Sequence, residues 1–146
     1  MSAHQTLRRM TTQYWLVKSE PETYAWTDLV RDGRTDWTGV RNYAARLHLK
    51  AMKPGDRVFF YESQGPKAIV GVAEITRAAF PDKTADETGW VAVELKAIAP
   101  LARPVTLDEI KEQPALAKMA LVRISRLSVQ PVTPAEFARI QKLAAK

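Results

Sequence analysis

The sequence predicts an α+β domain: a small closed β-barrel of about five or six short, mostly antiparallel strands with helices packed outside it. Three features point there. Runs rich in branched and aromatic residues recur at 13–18, 57–62, 68–75, 90–98 and 126–132, a pattern of short strands. Gly and Pro interrupt them at Pro21, Pro54-Gly55, Gly65-Pro66 and Gly89, which favours tight curvature over a long wound sheet. Helix-start chemistry appears only in the connections.

The elements follow in order. Gln13–Lys18 reads as a strand that Pro21 stops, since proline cannot donate to a ladder. Thr27–Arg31 reads as a short helix with Thr27 as cap and Gly33 as stop. Trp37 to Asn42 falls between two helices and reads as a loop. Asn42 caps a helix running to about Met52, with Ala45, Leu49 and Met52 on one face. Arg57–Glu62 and Ala68–Ile75 flank the Gln64-Gly65-Pro66 turn and should pair as an antiparallel hairpin. Gly71 inside the second strand marks a bulge or a close approach by another group. A polar loop is expected at 79–89. In the strand from Trp90 to Ile98, Val91, Val93 and Leu95 alternate with Ala92, Glu94 and Lys96. Thr106 and Glu109 form a capping box stapled by Val105 and Ile110. Thr133 and Glu136 repeat it with Pro134 at the first helical position. Arg126–Val132 is the last strand.

The chain of 146 residues suits one domain. Residues 1–12 are polar and read as a disordered extension, leaving 13–146 as the domain. There is no cysteine, which removes thiol catalysis, thiolate metal sites and disulfides. That fits a reducing compartment, and the expected location is the cytoplasm. No apolar run is long enough to span a bilayer, and the expectation is a monomer without membrane contact. The net charge of +6 favours polyanionic partners. Arg46, Lys50 and Lys53 form a basic stripe beside Arg41 that can meet phosphates, as can Arg126.

No dinucleotide-binding or phosphate-loop motif is present, and no nucleophile elbow. His4 and His48 have no ligand cluster around them, so neither metal nor cofactor is expected. What stands out instead is polar groups interleaved with aromatics. Trp37, Val40, Arg41 and Asn42 place an indole, a guanidinium and an amide close together, the parts needed to grip a flat heterocycle. Lys18, Ser19 and Glu20 end the first strand. Tyr61, Glu62 and Ser63 end the third run, and Asp82 and Ser128 add polar groups from distant loops.

Taken together, Tyr14-Trp15-Leu16-Val17-Lys18-Ser19-Glu20-Pro21, Trp37-Thr38-Gly39-Val40-Arg41-Asn42-Tyr43, Met52-Lys53-Pro54-Gly55-Asp56, Val58-Phe59-Phe60-Tyr61, Val70-Gly71-Val72-Ala73-Glu74 and Arg126-Leu127-Ser128-Val129-Gln130-Pro131-Val132 resemble the EVE domain family of the PUA-like superfold. The resemblance covers about residues 13–143. It implies a PUA-like barrel with a pocket for a modified nucleobase, modified cytosine above all, in DNA or RNA. It is similar also to the YTH domain, and by that analogy Trp37 is a cage wall, Ser19 and Asn42 read base edges, and Arg41 contacts a phosphate or an edge. The family usually has histidine where this chain has Glu62. The expected function is therefore non-enzymatic binding of a modified base. Two other classes stay open: an RNA-binding accessory domain of RNA modification or translation, and an enzyme acting on a nucleotide, for which Glu62 and Asp82 are the candidate acids.

Overall fold

The computed structural model describes residues 11–146. Residues 1–10 of the expected extension lie outside the described residues. The strands are β1 Tyr14–Ser19, β2 Arg34–Trp37, β3 Arg57–Glu62, β4 Ala68–Pro81, β5 Val91–Thr106 and β6 Val129–Val132. The helices are α1 Trp26–Asp32, α2 Tyr43–Ala51, α3 Leu107–Lys111, α4 Ala120–Arg123 and α5 Pro134–Ala144, with a 3-10 turn at Pro114–Leu116.

The strands form one mixed sheet in the order β2-β5-β4-β3-β1-β6. β1 runs parallel to β3, and the remaining pairs are antiparallel. The closed barrel expected from the sequence is thus corrected to an open α+β sheet, because no ladder joins the edge strands β2 and β6. The sheet is nonetheless strongly bent. Four register shifts break the β4–β5 ladder, and each bulge bends the strand that carries it. One shift sets Gly71 opposite Pro100, where an irregular ladder tolerates a missing donor. β5 therefore continues beyond Ile98 to Thr106, and β4 continues into the expected polar loop, pairing Phe80 with Ala92.

Both faces of the sheet are covered, which explains the near-continuous apolar runs in β1 and β3. Trp15, Val17, Val58 and Phe60 face one core with Trp26, Leu29, Leu49 and Leu95. Leu16, Phe59 and Tyr61 face the other, with Ile110, Met119, Ile140 and Leu143. α5 docks there through Phe137, stacked at 4.2 Å on both Tyr14 and Phe59. Arg103 clamps the same region, donating to both carboxylate oxygens of Glu109 (2.8 and 2.9 Å) and to the Leu143 carbonyl (2.9 Å). On the first face, buried Asp56 accepts from the Trp15 indole and from the Gln13 and Lys53 amides, tying β1 to the end of α2.

The helix starts divide by chemistry. Asn42 caps α2, Thr106 caps α3 and Thr133 caps α5, the last two with reciprocal glutamates. α1 differs from the expected Thr27 cap. It begins at Trp26, where Asp28 accepts the Ala25 amide (2.8 Å) and Glu62 of β3 accepts the Trp26 amide (2.9 Å). Gly71 is both a bulge neighbour and a close approach: a Cβ there would lie 2.5 Å from the Trp26 indole.

Candidate functional site

The sheet curls so that β2 and the end of β1, with three strands between them in the ladder, line one cavity of about 580 Å³. That volume falls within the usual range for small-ligand sites. The lining comes from Lys18, Ser19 and Glu20 at the end of β1, Thr23 and Tyr24 after it, Thr35 to Trp37 of β2, Thr38 to Asn42, and Ser128 before β6.

Trp37 stands half-buried on this wall. It meets Phe60 at 80° and Tyr24 at 77°, with centroids 5.6 and 6.2 Å away. Both contacts are edge-to-face, and no ring of the described residues stacks flat upon it. The turn that follows is built around Asp82. Gly39 adopts φ 85°, which only glycine takes easily. Its amide donates to Asp82 (2.9 Å), and Arg41 donates to the same oxygen (2.9 Å). The Thr84 amide and hydroxyl donate to the other oxygen. Burial pushes the Asp82 pKa up, but the bonds from Thr84, Gly39 and Arg41 outweigh it and hold the carboxyl well below the usual range. Asp82 thus fixes the turn from beneath, and Arg41 is anchored at the rim of the cavity.

The polar groups of the wall are partly committed. The Ser19 hydroxyl donates to the Tyr24 carbonyl (2.5 Å), leaving its oxygen able to accept. The Asn42 side-chain oxygen accepts the Ala45 amide (2.9 Å), so its NH₂ is the group to offer a ligand. Lys18 donates to the Ser125 carbonyl (2.6 Å), and its amide meets the Ser128 carbonyl. Burial, then the charge of Lys67, lowers the Lys18 pKa below the ordinary lysine value.

The structure brings Lys18, Ser19, Glu20, Trp37, Val40, Arg41, Asn42 and Ser128 together on one cavity. Four other expected residues stand outside its lining. Tyr61 belongs to the opposite core, because strand alternation gives Phe60 the Trp37 side. Glu62 is turned to the Trp26 amide. Ser63 donates amide and hydroxyl to the Ser19 carbonyl. Asp82 lies under the turn. Of the basic residues, Lys50 and Lys53 are exposed on and just beyond α2, and Arg126 is exposed two residues from Ser128. Arg46 lies against both the Tyr43 and Trp90 rings, 4.9 and 4.6 Å from their centroids. Thr23, Tyr24, Thr35 and Asp36 are wall residues the sequence reading missed. Tyr24 sits in an irregular loop and β2 is short and polar, so neither gave a periodic signal.

Among the described residues no cluster of three or more His, Asp or Glu side chains is placed to hold a metal, and no helix is long and apolar enough to cross a membrane. A distant neighbour, an ASCH protein of Zymomonas mobilis at 14% identity and TM-score 0.57, shares the fold alone. A protein of Rhodopseudomonas palustris solved by NMR superposes with TM-score 0.87 at 50% identity, covering 92% of this chain and 94% of that one. Human THYN1, solved in complex with 5-methylcytosine-containing DNA, superposes with TM-score 0.87 at 32% identity, covering 92% and 99%. Thymocyte nuclear protein 1 of Rattus norvegicus is 34% identical over 94% of this chain and 76% of its own length. The EVE domain model matches residues 13–143, and with that span and those relatives the chain belongs to the EVE domain family.

Proposed function

We propose that this cavity holds a nucleobase swung out of its strand, that modified cytosine in DNA is its preferred ligand, and that the chain binds such marks without chemistry. The observation that carries the reading is Trp37: a half-buried indole on whose face no ring of the described residues stacks, walling a cavity whose edge groups are hydrogen-bonding. Removing a base from its stack costs a few kcal/mol, and stacking on an aromatic wall returns about 1–3 kcal/mol. The Ser19 oxygen can accept from the exocyclic amine of cytosine, and the Asn42 NH₂ can donate to its carbonyl. Arg41, Lys50, Lys53 and Arg126 supply phosphate contacts, which position the strand without reading it.

The human THYN1 complex with methylated DNA supports cytosine and DNA over adenine and RNA, since that relative is similar along nearly the whole chain. Binding without catalysis is supported by the two candidate acids. Asp82 is a poor proton acceptor with its pKa held low, and Glu62 is committed to the Trp26 amide.

Fluorescence-anisotropy titration tests the reading with matched DNA and RNA oligonucleotides carrying cytosine, 5-methylcytosine or 6-methyladenine. Burying one methyl is worth about 0.8 kcal/mol, so 5-methylcytosine should win by about fourfold or more. Trp37→Ala should abolish that preference. Equal wild-type affinity for every oligonucleotide, or a preference that survives Trp37→Ala, refutes it.

A further inference from the structure

We propose that the outer face of α2 is a stacking shelf for the base next to the one held in the cavity, built on Tyr43 and Leu47. The inference rests on the nucleic-acid reading above and assigns it a second contact surface. Tyr43 is 69% exposed and Leu47 64% exposed. They stand one helical turn apart, at positions that share a face. Lys50 continues the same stripe, and α2 (YAARLHLKA) contains no acidic residue. A flat apolar face edged with cations suits a strand of bases and phosphates better than an apolar protein surface.

The shelf is held in place before any ligand arrives. The Tyr43 ring lies 5.2 Å from Trp90 at an interplanar angle of 31°. The Arg46 guanidinium contacts both rings, at 4.9 and 4.6 Å, and donates to the Gly89 carbonyl at 3.2 Å. A ring fixed in this way loses little freedom on binding. The shelf is also continuous with the cavity. Asn42 lines the cavity and immediately precedes Tyr43, while Arg41 reaches from the rim to within 5.8 Å of the Trp90 ring centroid. A strand whose flipped base enters beside Asn42 passes its neighbouring base over Tyr43, with phosphates toward Lys50.

The test uses oligonucleotides with 2-aminopurine next to cytosine or 5-methylcytosine, and wild type, Tyr43→Ala, Tyr43→Phe and Leu47→Ala. Both positions are exposed, so the variants should keep the wild-type melting profile. Wild type and Tyr43→Phe should quench 2-aminopurine on binding, and Tyr43→Ala should not. Tyr43→Ala and Leu47→Ala should weaken marked and unmarked oligonucleotides alike, Tyr43→Ala by about tenfold. Affinity for free 5-methylcytidine monophosphate should stay unchanged, because the cavity is intact. Wild-type oligonucleotide affinity in Tyr43→Ala overturns the shelf, as does equal loss of mononucleotide binding, which would place Tyr43 in the cavity. Self-association lost in Tyr43→Ala with oligonucleotide binding intact would make the face a protein contact and also overturn it. If wild type binds marked and unmarked strands equally, the cavity reading fails while the Tyr43 difference still reports on the shelf. Absence of any oligonucleotide binding overturns both.

Discussion

Asp82 accepts from Gly39, Arg41 and Thr84, and so holds a turn more than forty positions earlier in the chain. Its folded pKa lies below the unfolded value of about 3.9. The native state therefore binds fewer protons, and the stabilisation is complete at neutral pH. It fades as pH falls below the unfolded value toward the folded one. Asp82→Asn should cost about 1–3 kcal/mol at pH 7. Urea denaturation should show the gap from wild type constant between pH 8 and 5 and shrinking by pH 3; a gap of the same size at pH 3 would contradict this. At this scale the sequence exposed Trp37 and Asn42 clearly, because an indole and a capping amide stand five residues apart, at the end of β2 and the start of α2. Tyr61 and Glu62 were harder to place. Their strand is buried on both faces, so its apolar run gave no indication of which residue faces Trp37. Glu62 gained a partner in α1 that only tertiary structure supplies.

The position of α1 depends on β3 and β4. Glu62 receives its first amide, and the Trp26 indole lies across Gly71 and packs edge-to-face on Phe60 at 5.5 Å. α1 in turn follows the loop that carries Tyr24 to the cavity. Gly71→Ala drives a methyl to within 2.5 Å of the indole carbons, and overpacking of this kind costs about 1–3 kcal/mol. Chemical denaturation should show that loss, together with a change in Trp26 fluorescence; unchanged stability would contradict the packing described. Elements with their own local chemistry were legible: the β3–β4 hairpin, the Asn42 cap and both capping boxes. β2, α4 and the 3-10 turn were not, since each is short and held by its neighbours. β2 is a four-residue polar strand that pairs, among the described residues, with β5 alone.

Across the whole molecule, one departure from expectation creates the cavity. Short strands broken by Gly and Pro suggested a closed barrel, and the sheet does curl as a barrel would. Bulges in β4 and β5 bend it, but β2 and β6 remain edges, and the cavity lies between β2 and the end of β1. Hydrogen-bonded closure depends on pairing between distant strands, which residue patterns within each strand do not encode. The net charge of +6 and the acid-free α2 beside the opening make this side of the molecule suited to a polyanion. The most direct test of the central claim is an isotope-filtered NOE experiment on the protein bound to an oligonucleotide carrying 5-methylcytosine with a ¹³C-labelled methyl. The account predicts cross-peaks from that methyl to the Trp37 indole and the Tyr24 ring. Cross-peaks from the methyl to Tyr43 and Leu47 alone, in a complex that forms at the same concentrations, would contradict it.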